Sequence, residues 1–239
     1  MSLENSVEFL IFTYFGVCFK DNFDTILKSA IKVAYNDATM QGAYNALEKE
    51  NAEEIDYDKV AQELENTIKE LLKENSNGYE KWHKATCKEL VKHYEKVSLK
   101  DKSPAFSYGN AQKWVNMTMK YLYILSEIFL EYKNDCVDCK KYKKIQGLYK
   151  YFQVPVDSFI IESVWNNENV TLPLVKENLL KNGTRGVYSS EKVTPWSKWD
   201  DTEYKEFQEH LPKIFKDHQT PLDWEHKAWI EIAKKRREK

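Results

Sequence analysis

Gly109-Asn110-Ala111-Gln112-Lys113-Trp114-Val115-Asn116-Met117-Thr118-Met119-Lys120-Tyr121-Leu122-Tyr123-Ile124-Leu125-Ser126-Glu127-Ile128-Phe129-Leu130-Glu131-Tyr132 is the stretch that decides the fold. Trp114, Val115, Met117, Met119, Leu122, Ile124, Leu125, Ile128 and Phe129 would cover nearly the whole circumference of a helix. A helix apolar all round is packed on several sides, so this segment predicts a central helix. The sequence on either side is amphipathic with a helical period. Upstream, Phe23, Ile26, Leu27, Ala30, Ile31 and Ala34 recur at helical spacing behind a cap at Asn22 or Asp24. A helix near 40–48 follows. Tyr57 to Glu74 carries Val60, Ala61, Leu64, Ile68, Leu71 and Leu72 on one face and stops at Asn75-Ser76-Asn77-Gly78. Tyr79 to Val97 repeats the pattern with Trp82, His83, Cys87, Leu90, Val91 and Tyr94.

Downstream, residues 98–104 read as a linker and 134–144 as a polar, Lys-rich connection. Pro155 opens a short helix through Trp165, and 172–181 forms another. Ser197-Lys198-Trp199-Asp200 has capping-box spacing before a helix to about Lys216. Thr220-Pro221-Leu222-Asp223 gives a cap, a first-position Pro and an acid on the first turn. That last helix ends in Lys234, Lys235, Arg236 and Arg237, which suit the negative end of its dipole. Val7 to Phe19 is the longest apolar-looking run. It is too short to span a membrane, contains Glu8, and is expected as a buried strand or core helix. With seven Gly and six Pro in 239 residues, turn-rich β-sandwiches and Gly-rich Rossmann folds are unlikely, and a Walker-type phosphate loop is absent. The expectation is an all-α, compact protein of roughly eight to ten helices around one central apolar helix. It is organised either as two helical lobes, an acidic one over 1–97 and one over 105–239, or as one continuous domain.

The formal net charge is −2, so any polyanion site must be local. Residues 1–100 hold 18 Asp and Glu against 13 Lys, and residues 101–239 hold 20 against 23 Lys and Arg. The most basic stretch is Glu131 to Gln153. It has six Lys against three acids, interleaved with Tyr132, Tyr142, Tyr149, Tyr151 and Phe152. Lysine neutralises phosphate and aromatic rings stack on bases, so Lys140, Lys141, Lys143 and Lys144 are candidate nucleic-acid contacts. The same composition fits a solvated helix face with a Tyr-rich underside. Positive charge is carried by 33 Lys and only three Arg, a bias typical of AT-rich bacterial genomes.

Two stretches can carry chemistry. In Phe106-Ser107-Tyr108-Gly109-Asn110-Ala111-Gln112-Lys113-Trp114, a Gly at the start of a buried helix lets backbone approach a ligand closely. The free N–H groups of the first turn favour a phosphate. Lys113 sits in that turn, where dipole and partial burial both disfavour its ammonium form, the condition a nucleophilic lysine needs. Alternatively, Gln112 and Lys113 are an exposed helix start. In Val154-Pro155-Val156-Asp157-Ser158-Phe159-Ile160-Ile161, Asp157 is a carboxylate at a helix N-terminus, whose plainer role is an N-cap.

Taken together and in this order, the two stretches resemble the catalytic region of the helix-hairpin-helix DNA glycosylases, in particular the 8-oxoguanine type. In that family a hairpin glycine precedes a nucleophilic lysine by four positions, as Gly109 precedes Lys113. A Val-Pro-Val-Asp segment further on supplies the catalytic aspartate, as Val154 to Asp157 would. The resemblance covers residues 106–157. This chain departs from the pattern in having Asn110-Ala111 where the family's hairpin usually has more glycine, and in a 44-residue gap from Lys113 to Asp157. The resemblance implies that Lys113 attacks the anomeric carbon. Asp157 would orient or deprotonate it and stabilise positive charge developing on the sugar. The damaged base would be flipped into a pocket and held by stacking, with Phe106, Tyr108 and Trp114 nearby. Tyr108, Gly109 and Gln112 would join the nucleic-acid contacts.

Cys136-Val137-Asp138-Cys139 has metal-ligand spacing, but one pair is half a zinc site, and neither Cys18 and Cys87 nor the five His supply a second pair. No metal or cofactor is expected. Four Cys without a secretory signal read as reduced thiols in a cytoplasmic protein with no membrane partner. The rival to a DNA-acting enzyme is a non-catalytic helical module that contacts protein through its acidic first hundred residues and through Trp196, Trp199, Trp224 and Trp229.

Overall fold

The computed structural model describes residues 2–39, 57–73, 78–95, 106–133, 138–173, 186–216 and 219–238. Among them nine α-helices run in order: α1 (Leu3–Phe15), α2 (Phe23–Thr39), α3 (Tyr57–Leu71), α4 (Tyr79–Lys92), α5 (Tyr108–Tyr132), α6 (Cys139–Leu148), α7 (Ser158–Val164), α8 (Asp201–His210) and α9 (Pro221–Arg237). The protein is all-α, with α5 as its axis. α2, α4, α6 and α8 all pack on α5, and a short 3₁₀ turn at Trp196–Lys198 closes its N-terminal end. α3 lies against α2 and α4, and α7 against α9.

The reason α5 is central can be read from its side chains. A capping box starts it: the Ser107 side chain accepts from the Asn110 N–H, and the Asn110 side chain accepts from Ser107. Sixteen of its 25 residues are buried, including the unbroken run Tyr108 to Asn116. The circumference opens to solvent only further along, where Ile124 is 37% exposed. α2 buries the predicted stripe Phe23, Ile26, Leu27, Ala30, Ile31 and Ala34, and its first turn is capped by Asn22, whose Oδ1 accepts from the Thr25 N–H at 2.9 Å. α3 buries Val60, Leu64, Ile68 and Leu71. Buried residues from Ile11 to Leu222 form one contiguous core.

Four readings are corrected. The run Val7 to Phe19 is not a buried element: α1 buries only Ile11, while Leu3, Phe9, Leu10, Phe12 and Tyr14 are exposed. Residues 139–144 of the Lys-rich connection belong to a helix, α6. Its lysines hide a stripe of Tyr142, Ile145 and Leu148 at three-residue spacing. The helix after Pro155 begins only at Ser158, because Asp157 caps it. The capping box before α8 is Asp200 with Glu203, not Ser197 with Asp200, and the helix gives way to a 3₁₀ turn at Leu211. The expected helix at 40–48, the linker at 98–104, Cys136 and nearly all of 172–181 lie outside the described residues. No helix among the described residues is long and apolar enough to cross a membrane.

Candidate active site

Lys113 projects from the second turn of α5, and Asp157 stands immediately before α7. The Lys113 Nζ donates to Asp157 Oδ2 at 2.7 Å, and both residues are buried, at 5% and 7% exposure. Sequence positions 44 apart thus meet as one ion pair. Asp157 keeps its plainer role as well. Its Oδ1 accepts from the Phe159 and Ile160 N–H groups at 2.9 and 3.0 Å, capping α7. The indole N–H of Trp229, on α9, donates to Oδ2 at 3.3 Å. Burial alone would push this carboxyl up. The charge and hydrogen bond of Lys113, the Ile160 N–H and the Trp229 indole outweigh it and hold the carboxyl below its usual range.

Two tryptophans enclose the lysine. Trp196 offers its ring face 5.2 Å from Nζ. Trp229 stacks on Phe159 at 4.8 Å and is 37% exposed, so it is the part of the site that meets solvent. Arg236, two turns further along α9, covers Phe159 from 3.9 Å and pairs with Glu162 at 2.8 Å. A second, part-buried pair lies two turns along α5, where Lys120 Nζ meets the buried Glu225 Oε2 at 2.6 Å. Burial pushes the Glu225 carboxyl up, and Lys120 offsets this only in part.

The residues around the lysine prove to be scaffold. Gly109 is needed because a Cβ there would run into the Trp196 carbonyl oxygen, and its N–H donates to the Trp199 carbonyl at 2.9 Å. The close approach expected for a ligand is occupied by the chain's own 3₁₀ turn. Gln112 is fully buried and ties the two stretches together. Its Nε2 donates to the Gly109 carbonyl at 2.9 Å and the Val156 carbonyl at 3.3 Å, and its Oε1 accepts from the Val156 N–H at 3.3 Å. Asn116 extends this network, donating to Gln112 Oε1 at 3.1 Å and to the Tyr204 hydroxyl at 2.8 Å, which in turn donates to Gln153. The amide of Gln112 is therefore committed to protein atoms rather than open to a base. Phe106 and Trp114 are likewise core, at 1% and 0% exposure.

Tyr108 lines a separate cleft. Its volume is about 290 Å³, and its walls include His83, Lys84, Lys150, Gln153 and Tyr204. Neither Lys113 nor Asp157 lines it. Burial lowers the His83 pKa to about 4, so this ring is neutral at pH 7. The α6 lysines lie far from the pair. Tyr142 on α6 touches Phe129, which stands about 24 Å along α5 from Lys113 at the helical rise. Lys140 and Lys143 are exposed, Lys141 pairs with Asp138 at 2.9 Å, and Lys144 donates to the Leu72 carbonyl at 2.5 Å. Closer cations stand at the end of α9, where Lys234 and Arg237 are exposed within about three turns of Trp229.

Sequence reasoning missed Trp229 and Glu225 as neighbours of the pair. Their positions four apart on a helix face were the available signal, but nothing local linked α9 to Lys113. Among the described residues, Glu63, Glu89 and His93 bring potential metal-ligand atoms within 4.8 Å of one another, though His93 is already engaged by Glu63 at 2.8 Å. Cys139 is a free thiol. Compared with family models, curated proteins and solved structures, the chain matches none.

Proposed function

We propose that the protein is a DNA-glycosylase-like enzyme acting on damaged or foreign DNA, with Lys113 as nucleophile and Asp157 as its partner. The observation that carries this reading is the 2.7 Å contact between two residues singled out separately, in two stretches 44 positions apart. A lysine paired with a carboxylate beside an exposed indole is a workable constellation for attack on a sugar carbon. Asp157, held as a carboxylate, orients Lys113, whose ammonium gives a proton to water and frees the Nζ lone pair. The new Nζ–C1′ bond forms as the bond from C1′ to the base breaks, and the base leaves with the bonding electrons and takes a proton from water. The carboxylate, fixed by two backbone N–H groups, then faces the positive charge developing on the sugar.

Access runs past Trp229. With both groups under a tenth exposed, substrate reaches Nζ when this indole leaves Asp157. Trp229 also takes over the stacking role first sought in Phe106, Tyr108 and Trp114. Lys234 and Arg237 are the cations placed to meet flanking phosphates, and the α6 lysines serve a more distant part of a duplex. The alternative, a non-catalytic interaction module, draws support from the exposed apolar side chains of α1.

The test is base release from duplex DNA carrying 8-oxoguanine, alongside an undamaged control. Lys113→Arg keeps the charge and the ion pair but lacks a usable amine, so it separates catalysis from folding. The reading expects release by the native protein and none by Lys113→Arg at unchanged thermal stability. Equal release by both would remove Lys113 from the reaction, and release by neither would favour the interaction module.

A further inference from the structure

We infer that Glu63, Glu89 and His93 form a binding site for a divalent transition-metal ion, zinc in particular, on the seam between α3 and α4. This goes beyond the proposed function and does not depend on it. Glu89 and His93 stand four apart on α4 and its C-terminal cap, so they share one face of the helix, and Glu63 comes from α3. One ligand atom from each residue lies within 4.8 Å of the other two. The frame beneath them is fixed. Glu63 and Glu89 each precede a buried leucine, Leu64 and Leu90, and the indole N–H of Trp82 on α4 donates to the Thr67 carbonyl on α3 at 3.1 Å. The backbone therefore sets where the three side chains start, and only their ends need to move.

The donor set suits zinc. A tetrahedral zinc ion takes imidazole nitrogen and carboxylate oxygen at about 2.0–2.2 Å, which puts its ligand atoms about 3.3 Å apart. Rotation of half-exposed side chains supplies that closure, since those of Glu63, Glu89 and His93 are 36%, 47% and 23% exposed. The 2.8 Å contact between His93 Nε2 and Glu63 Oε2 is the one the ion replaces, with release of the Nε2 proton. Glu89 meets Lys92 through Oε2 at 2.6 Å, but this pair is exposed and weak, and the carboxylate retains a second oxygen. Two carboxylates offset the charge of a dication. The surroundings also favour a cation: Glu89, with Glu95 and Glu63, holds the Lys92 ammonium above its usual pKa. Three protein ligands leave a fourth position for water. Magnesium fits worse, because it prefers octahedral oxygen ligands and gains little from an imidazole.

Calorimetric titration of zinc chloride into chelator-treated protein tests this, with Glu63→Gln, Glu89→Gln, His93→Gln and Cys139→Ser as variants. The expected result is one zinc per chain and a higher unfolding temperature in its presence. The affinity should fall about tenfold or more in each of the first three variants, while Cys139→Ser leaves it unchanged. Glu89 is half exposed, so Glu89→Gln keeps the fold and separates a lost ligand from a lost structure. Absence of binding up to millimolar zinc overturns the proposal, as does binding that Glu89→Gln or His93→Gln leaves intact. Cobalt as a second probe reads the donor type. A tetrahedral spectrum without a thiolate charge-transfer band is expected, and such a band would put the ion on cysteine and overturn the assignment.

Discussion

Two lysine–carboxylate pairs with buried carboxylates lie two turns apart along α5, and they are built differently. Lys113–Asp157 places its carboxylate at a helix N-terminus, where two N–H groups, an indole N–H and the ammonium all support the charge. Glu225 of the second pair has Lys120 as its principal support, and its carboxyl is raised where that of Asp157 is lowered. Burial alone does not decide how a charge behaves. The number of donors aimed at it does. The first pair is organised to keep an anion beside a lysine, as the proposed chemistry requires. The second reads as a structural tie between α5 and α9.

Breaking the first pair should have the larger effect. Asp157→Ala strands a buried ammonium and removes the α7 cap, so we expect a loss of about 3–5 kcal/mol in chemical denaturation. Next is a histidine that belongs to neither pair. His83 titrates at about 4 in the folded protein and near 6.5 unfolded. The unfolded chain binds the extra proton in that window, so stability is whole above pH 6.5 and falls by about 3 kcal/mol as pH drops to 4. His83→Phe keeps the ring against Tyr204 and should flatten that fall, and an unchanged pH profile would contradict it.

Glu225→Gln should cost less than Asp157→Ala, about 1–3 kcal/mol, because the Lys120 side chain is 16% exposed against 7% for Lys113 and can reach water. An equal or greater loss would erase the distinction between the pairs. The smallest effect is in the acid limb, where the two carboxylates have opposite signs. The folded Asp157 value lies below its unfolded value near 3.9, so its stabilisation is present above about pH 4 and lost as pH falls through the folded value. The folded Glu225 value is raised, so its contribution is fullest below about pH 4.3 and declines as pH rises through the folded value. Asp157→Asn should flatten the loss below pH 4, and Glu225→Gln should not.

The legible parts of the sequence were those where one local pattern settles the matter. The apolar circumference of 114–129 marked α5, and Thr220 to Asp223 marked the start of α9 with its capping box intact. The Lys113–Asp157 contact was reached through a resemblance across two stretches, since no periodicity joins residues 44 apart. Gln112 looked like an exposed helix start because its partners, the Gly109 and Val156 backbones, come together only in the folded chain. α6 was hidden by its lysines, whose buried stripe of Tyr142, Ile145 and Leu148 is short. α1 misled in the other direction: its apolar residues suggest burial, yet five of its six phenylalanine, tyrosine and leucine residues, Leu3, Phe9, Leu10, Phe12 and Tyr14, face solvent.

The central claim is that Lys113 is a nucleophile toward a sugar carbon, and the chain's other lysines make identification of the reacting one decisive. Incubation with abasic duplex DNA and borohydride, followed by digestion and mass mapping, reads this directly. The account predicts a reduced sugar adduct on Lys113, absent from Lys113→Arg. An adduct confined to other lysines, or none from the native protein, would contradict it.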